Sequence, residues 1–153
     1  MTTPGELVAA GFNKLGYIQY AGIDELAFGP GQADLVVAPE ARLLNHNGDI
    51  HAANLFGLAE TAATGAAVTA IFDLLADAYV VVKNGRIDYL ARAQGDRGPF
   101  RVRTDLSESA VQSMRDDVQA GKPIELPVPV AIADSTAKQV AAAEFAVIIR
   151  PKR

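Results

Sequence analysis

Leu43-Leu44-Asn45-His46-Asn47-Gly48-Asp49-Ile50-His51-Ala52-Ala53-Asn54-Leu55-Phe56-Gly57-Leu58-Ala59-Glu60-Thr61-Ala62 reads as a polar loop running into a helix that is apolar almost all round. The alanine-rich pattern continues to Phe72, so a long helix is predicted over about 52–72. A helix apolar on every side belongs in the middle of a domain. Within it stands one carboxylate, Glu60, nine residues after His51. An acid there is costly without a partner or a task, which makes Glu60 the first candidate for chemistry. The competing reading is a glutamate that reaches solvent at a gap in a sheet or bonds a neighbouring backbone group.

The surroundings of this helix read mainly as strands. An amphipathic helix is predicted from Pro4 to Leu15, stopped by Gly16. Two β-like runs follow, Tyr17–Phe28 and Gln32–Ala38, joined by the turn Gly29-Pro30-Gly31. After the central helix, Tyr79–Val82 and Arg86–Ala93 bracket Lys83-Asn84-Gly85, which is either a hairpin turn or a bulge in one long strand. In Phe100–Thr104 the residues Phe100, Val102 and Thr104 alternate with Arg101 and Arg103. A further helix is predicted over 105–121, with Asp105 and Glu108 at capping-box spacing and Gly121 and Pro123 as the stop. Ile124–Ala133 alternates cleanly, but Pro127 and Pro129 in one phase predict an edge or a local irregularity. Lys138–Arg150 is the last strand. The class is α+β, an antiparallel sheet around one helix in a single domain spanning 1–153.

Composition narrows the function. The 153 residues are half hydrophobic and 21% charged, as in an ordinary globular protein. A net charge of −4 argues against a general nucleic-acid binder. The absence of cysteine excludes disulfides, thiolate metal sites and cysteine nucleophiles, and two histidines, His46 and His51, do not make a histidine metal cage. Met1–Glu6 lack the basic start and apolar core of a secretion signal, and Glu60, Asp73 and Asp77 interrupt the longest apolar candidate for a membrane span. The expectation is a cytoplasmic protein without a membrane partner.

The chain resembles hotdog-fold proteins, in which an antiparallel sheet wraps a long helix. More narrowly, it is similar to acyl-CoA thioesterases of the phenylacetate-pathway and hydroxybenzoyl-CoA type. Those families carry an asparagine or glutamine, a His-Gly-Gly six residues on, and a Leu-Ala-Asp or Leu-Ala-Glu whose acid lies nine residues after the histidine. Asn45, His51 and Leu58-Ala59-Glu60 stand at those steps, and Thr64 matches a threonine of the hydroxybenzoyl type. Ile87-Asp88-Tyr89-Leu90 with Gly95-Asp96 resembles a later strand and turn of the family. Three departures are visible: Ala52-Ala53 replaces the paired glycines, Ala91-Arg92-Ala93 replaces Arg-Pro-Ala, and the helix at 105–121 is an insertion.

The resemblance implies hydrolysis of a fatty or aryl acyl-CoA thioester. Coenzyme A would enter as part of the substrate, and no separate cofactor or metal would be needed. Such a reaction needs an activated water and a positive environment for the developing oxyanion. Glu60 suits the first task as general base or nucleophile. The amides of Ala52 and Ala53, in the first turn of a helix, suit the second; the alternative is that Asp49, His51 or water already engages them. Asn45 would orient water or thioester, unless it is a turn residue. His51 would contact ligand or rigidify the loop, and Thr64 would hold water or bond back to the helix.

Ala52 and Glu60 are eight residues apart, about 12 Å along a helix. One protomer therefore does not bring base and amides to one water. Two antiparallel central helices across a two-fold axis would, and Gly57 and Gly65 suit such packing. A homodimer is predicted, with a dimer of dimers as the larger assembly. Between Lys83 and Arg103 the chain carries Lys83, Arg86, Arg92, Arg97, Arg101 and Arg103 against Asp88 and Asp96. Arg92 and Arg97 are the candidates for coenzyme A phosphates. Two other functions compete: a non-catalytic acyl-CoA or lipid-binding hotdog protein, and a hydroxyacyl-thioester dehydratase. The latter has the fourteen-residue step from His46 to Glu60 but not the accompanying Phe-Pro-Gly.

Overall fold

The computed structural model describes residues 1–152. Helices α1 (Pro4–Phe12) and α2 (Gly16–Ala21) lead into strands β1 (Glu25–Gly29) and β2 (Gln32–Val37). The long helix α3 (Ala52–Ala70) follows, then strands β3 (Ala78–Tyr89) and β4 (Phe100–Asp105), helix α4 (Glu108–Gln119), and strands β5 (Ile124–Ala133) and β6 (Gln139–Pro151). The strands form one antiparallel sheet in the order β1-β2-β4-β5-β6-β3, and α3 touches every one of them. This is the hotdog architecture that the resemblance implied.

The inner face of α3 explains the wrapping. Leu58, Ala59, Ala62, Ala63, Ala66 and Ala67 are fully buried, and their small side chains let the sheet close on the helix. The sheet supplies the bulk in return: Leu35, Val37, Phe100, Val102, Phe145 and Val147 point inward, also fully buried. The period-two pattern of β4 holds, with Phe100, Val102 and Thr104 inside and Arg101 and Arg103 outside. Among the described residues no helix is long and apolar enough to cross a membrane.

Several local expectations are corrected. Gly16–Ala21 is helix α2 rather than the start of a strand; Ile18 and Ala21 turn inward at i, i+3, and Gly22 ends the helix at φ 63°. Helix α1 stops at Phe12, three residues before the predicted end, after a capping box of Thr3 and Glu6. The insertion helix is capped by Ser107, whose hydroxyl accepts from the Ala110 N–H at 3.1 Å, because Asp105 is still paired in the sheet. Lys83-Asn84-Gly85 is not a hairpin: β3 runs through it, with a register shift between Val82 and Asn84.

Strand β5 lies inside the sheet rather than at its edge. It pairs with β6 along its length but with β4 only from Ala131 to Ala133. The prolines account for the difference. Without an N–H, Pro129 cannot continue the ladder, and the Thr104 hydroxyl instead donates to the Pro129 carbonyl. Beyond that point α4 lies against the sheet, anchored by buried Met114. Arg115 donates to the Ala70 carbonyl at the end of α3 (2.9 Å) and to both oxygens of Asp73 (2.7 and 2.9 Å), a cation placed at a helix C-terminus.

Just past the bulge in β3, Gly85 is paired with Phe145 and has no room for a side chain. A Cβ on Gly85 would run into the Phe145 ring, which is fully buried and meets Phe56 edge-on at 5.1 Å between centroids. Gly85→Ala is expected to lower stability by about 1–3 kcal/mol through overpacking. Urea unfolding followed by circular dichroism measures this; an unchanged midpoint would show that the ring has room to move.

Candidate active site

The sheet does not cover α3 completely. Gly57, Glu60, Thr64 and Val68 form a half-buried stripe, at helical spacing, along an otherwise buried helix. Glu60 is therefore half-buried and reaches the surface of the protomer at a gap in the sheet, the alternative reading of its sequence, rather than lying in the core that its apolar neighbours suggested. Its carboxylate accepts a hydrogen bond from the Thr64 hydroxyl at 2.8 Å. Thr64 thus serves the acid, whereas Thr61 and Thr69 bond back to the helix carbonyls of Gly57 and Gly65 (2.8 and 2.7 Å).

The amino-terminal segment walls one side of this stripe. A Cβ on Gly57 would lie 2.5 Å from the Tyr17 hydroxyl, and a Cβ on Gly65 would enter the Phe28 ring. Both glycines are therefore occupied within the protomer, and neither is open to a second helix as the sequence suggested. Phe28 is backed by Phe12, edge-on at 5.2 Å. The Tyr17 hydroxyl donates to the Asn54 carbonyl at 3.2 Å. The phenol lies against α3 although 36% of the residue is exposed, and its desolvation there, with Tyr20 and then the Glu60 carboxylate adding to it, pushes Tyr17 up to about 12. At neutral pH it is a proton donor and not a base.

The start of α3 is a second centre. His51 is the N-cap, and its Nδ1 accepts from the Ala53 N–H at 3.1 Å. The Ala53 amide is thus engaged, while the Ala52 N–H makes no hydrogen bond among the described residues. The Asn45 side-chain oxygen accepts from the N–H groups of Asn47 and Asp49 (2.9 and 3.1 Å), the behaviour of a turn residue. Arg92 donates to both oxygens of the buried Asp49 (2.9 and 3.0 Å) and to the Asn47 carbonyl (3.3 Å). Tyr89 donates to the Ala52 carbonyl at 3.3 Å. A cavity of about 420 Å³ opens here, lined by Asn45, Asp49, Ala52, Leu55, Tyr89 and Arg92 among others. Glu60 does not line it.

Ion pairs quiet the basic segment. Lys83 pairs with Glu125, Arg86 with Asp88, Arg92 with Asp49, and both Arg101 and Arg103 with Asp34. Burial alone would raise the Asp34 carboxyl, but hydrogen bonds from Arg101 and Arg103 hold it below the usual range. Arg97 is the one cation of the segment without an ion pair among the described residues. It closes a short turn, Gly95–Arg97, whose Gly95 N–H donates to the Gly48 carbonyl of the loop before α3 (2.8 Å). Arg92 and Arg97 are thus on one segment, but only Arg92 lines the cavity. His46 is exposed on that loop. Among the described residues no three His, Asp or Glu side chains converge as a metal cluster.

Three residues of these centres escape a reading of the sequence. Tyr17 was hidden by the β-like look of its segment, although Tyr17 and Tyr20 stand at i, i+3. Asp49 and Tyr89 were visible only as a possible cap and as part of a strand motif, because the partner of each lies about forty positions away.

A family model for a domain of unknown function (DUF4442) matches residues 6–149. No curated protein is similar to the chain at a significant level. Among solved structures, a Pseudomonas aeruginosa protein of unknown function, described as a probable thioesterase, is 25% identical with a TM-score of 0.80, covering 99% of both chains. A Chlorobaculum tepidum protein of unknown function is 16% identical with a TM-score of 0.82, covering 98% of both. The Escherichia coli PaaI protein, from the phenylacetic acid degradation operon, is 17% identical with a TM-score of 0.66, covering 94% of this chain and 89% of its own.

The environment of Tyr17 is directly measurable. In an alkaline titration followed at 295 nm, one of the four tyrosines is expected to ionise near pH 12, and Tyr17→Phe to abolish that phase. Since the unfolded phenol ionises near 10, folding stability should fall as pH rises from about 10 to 12. A Tyr17 that titrates with the others would mean that its ring is not seated on Gly57.

Proposed function

We propose that this chain, which belongs to the DUF4442 family, is an acyl-CoA thioesterase acting as a homodimer with two shared sites. One observation carries the reading: a lone carboxylate, Glu60, positioned by Thr64 on a half-buried stripe along the otherwise buried middle of α3. The likeness to a protein described as a probable thioesterase supports it.

In this reading Glu60 takes a proton from water as the water oxygen adds to the thioester carbonyl; attack by Glu60 itself is the covalent variant. The resulting oxyanion is held by the partner's α3 amino terminus, where the Ala52 N–H is unspent. Collapse breaks the carbon–sulfur bond, Glu60 returns its proton to the departing sulfur, and the thiol of coenzyme A and a carboxylic acid leave. Asn45 and His51 shape the loop that presents this amide. Arg92 beside the cavity and Arg97 on the adjoining turn face the phosphates of coenzyme A.

The edge of the sheet supports the dimer. Strand β3 is 12 residues long, has a partner on one side only, and exposes Tyr79, Val81 and Tyr89, with Leu90 just beyond it. A long edge bearing apolar side chains is a template for pairing with another chain. Antiparallel pairing of β3 with its own copy would also set the two α3 helices antiparallel, Glu60 of each toward Ala52 of the other. One observation favours the non-catalytic alternative: His51 occupies the Ala53 amide, leaving one oxyanion donor rather than two.

A panel of aryl, short and long acyl-CoAs with a thiol-reactive dye tests hydrolysis. Glu60→Gln should lower kcat by about 10²–10⁴-fold with little change in KM. Ala52→Pro removes the N–H while suiting the first position of a helix, and His51 already has the extended ψ of 135° that precedes proline readily. Ala52→Pro should therefore lose about 10²–10³-fold in kcat without loss of stability. Mixing the two inactive variants should restore activity, because each mixed dimer holds one intact site. Light scattering should give a dimer or a dimer of dimers. A monomer, or no recovery on mixing, would sink the shared site; tight binding without thiol release would favour the binding protein.

A further inference from the structure

We infer that Tyr17 is the wall that limits the size of the acyl group, so that the chain accepts short aliphatic or flat aryl thioesters and rejects long chains. This rests on the shared site proposed above. There, the partner's helix start and its cavity take the thioester and coenzyme A. The acyl group then lies over the protomer that carries Glu60, along the open stripe of α3.

On that stripe the next residue toward the amino terminus is Gly57, one turn from Glu60, and its surface is taken by the Tyr17 phenol. Gly65, eight residues along, is covered by the Phe28 ring with Phe12 behind it. With the thioester carbonyl at Glu60, only three residues of helix, about 4.5 Å, separate it from the Gly57 position that the Tyr17 ring covers. That length suits a ring or a few methylenes but not a long extended chain.

The wall is fixed rather than loose. Helix α2 is pinned by a reciprocal pair: the Tyr20 hydroxyl donates to the Arg42 carbonyl at 2.8 Å, and Arg42 Nε donates to the Tyr20 carbonyl at 2.6 Å. The Arg42 guanidinium also lies 5.7 Å from the Tyr20 ring centroid. Tyr17 sits one turn before this anchor. Its own hydrogen bond to Asn54, at 3.2 Å, is long. The ring therefore acts by filling space on a rigid mount, and its hydroxyl is secondary.

The test compares wild type, Tyr17→Ala, Tyr17→Phe and Gly57→Ala on acetyl-, hexanoyl-, benzoyl- and decanoyl-CoA. Turnover is read as kcat/KM. Affinity for the same compounds is read by calorimetry in a Glu60→Gln background, where binding does not depend on hydrolysis. Tyr17→Ala should raise decanoyl-CoA relative to hexanoyl-CoA by about tenfold or more, the scale of pocket discrimination between apolar groups. Tyr17→Phe should keep the wild-type profile. Gly57→Ala, whose methyl displaces the phenol, should shift it as Tyr17→Ala does and guards against an Ala variant that fails to fold. Identical chain-length profiles in all four proteins would overturn the inference. Length-limited binding that Tyr17→Ala relaxes, without turnover of any thioester, would overturn the hydrolase reading and keep the wall. Binding of none of these acyl-CoAs would overturn both.

Discussion

The alanine face of α3 is the constraint on which this structure depends. Six strands of one sheet converge on a single helix, and only small side chains let so many elements approach it at once. The bulky residues are displaced to the sheet, where Phe100 and Phe145 fill what the alanines leave. A helix so enclosed cannot turn polar groups to solvent except along the line where the sheet fails to close. Glu60 and Thr64 lie on that line. Packing alone thus confines the one carboxylate of the helix to this stripe.

Packing also separates the two halves of the proposed site. A straight helix holds the free Ala52 amide at one end and Glu60 two turns further on, and no side-chain movement shortens that distance. The loop before α3 is built to keep its end fixed. Asn45 folds back on its own turn, Asp49 ties Arg92, and Gly95 bonds Gly48. These polar groups serve the position of the helix terminus first. Arg92 is exposed, but its charge is answered by the buried Asp49 carboxylate, which weakens its pull on any anion outside.

Much of this was legible in the sequence, and what was not has a common cause. The central helix, the alternation in β4 and the lone acid are local patterns, and local patterns survive in one dimension. The helix at Gly16–Ala21 was obscured because two tyrosines and an isoleucine in six residues suit a strand equally well. Only the inward turn of Ile18 and Ala21 settles the period. The half-exposure of Glu60 depends on where the sheet ends, and that is a property of six strands together. The basic segment looked like a surface for phosphate because its neutralising acids are remote in sequence. Asp34 meets Arg101 and Arg103 only through the pairing of β2 with β4. The prolines of β5 were read correctly as incompatible with a two-sided ladder. What they do instead, ending the ladder beside Thr104, needed the neighbouring strand.

The two amides at the start of α3 are not equally available. Two free N–H groups would form a two-donor oxyanion hole. In this chain His51 takes one of them through Nδ1, leaving Ala52 and the positive end of the helix. Losing one such donor costs a hydrolase about 3–4 kcal/mol of transition-state stabilisation. In the reading proposed above, a site built on the remaining donor would keep the ground-state contacts of a thioester while giving up a large part of the rate. Binding and hydrolysis would then be two ends of one scale on the same surface. The His51 imidazole would set the balance, because its Nδ1 competes with a carbonyl oxygen for the Ala53 amide.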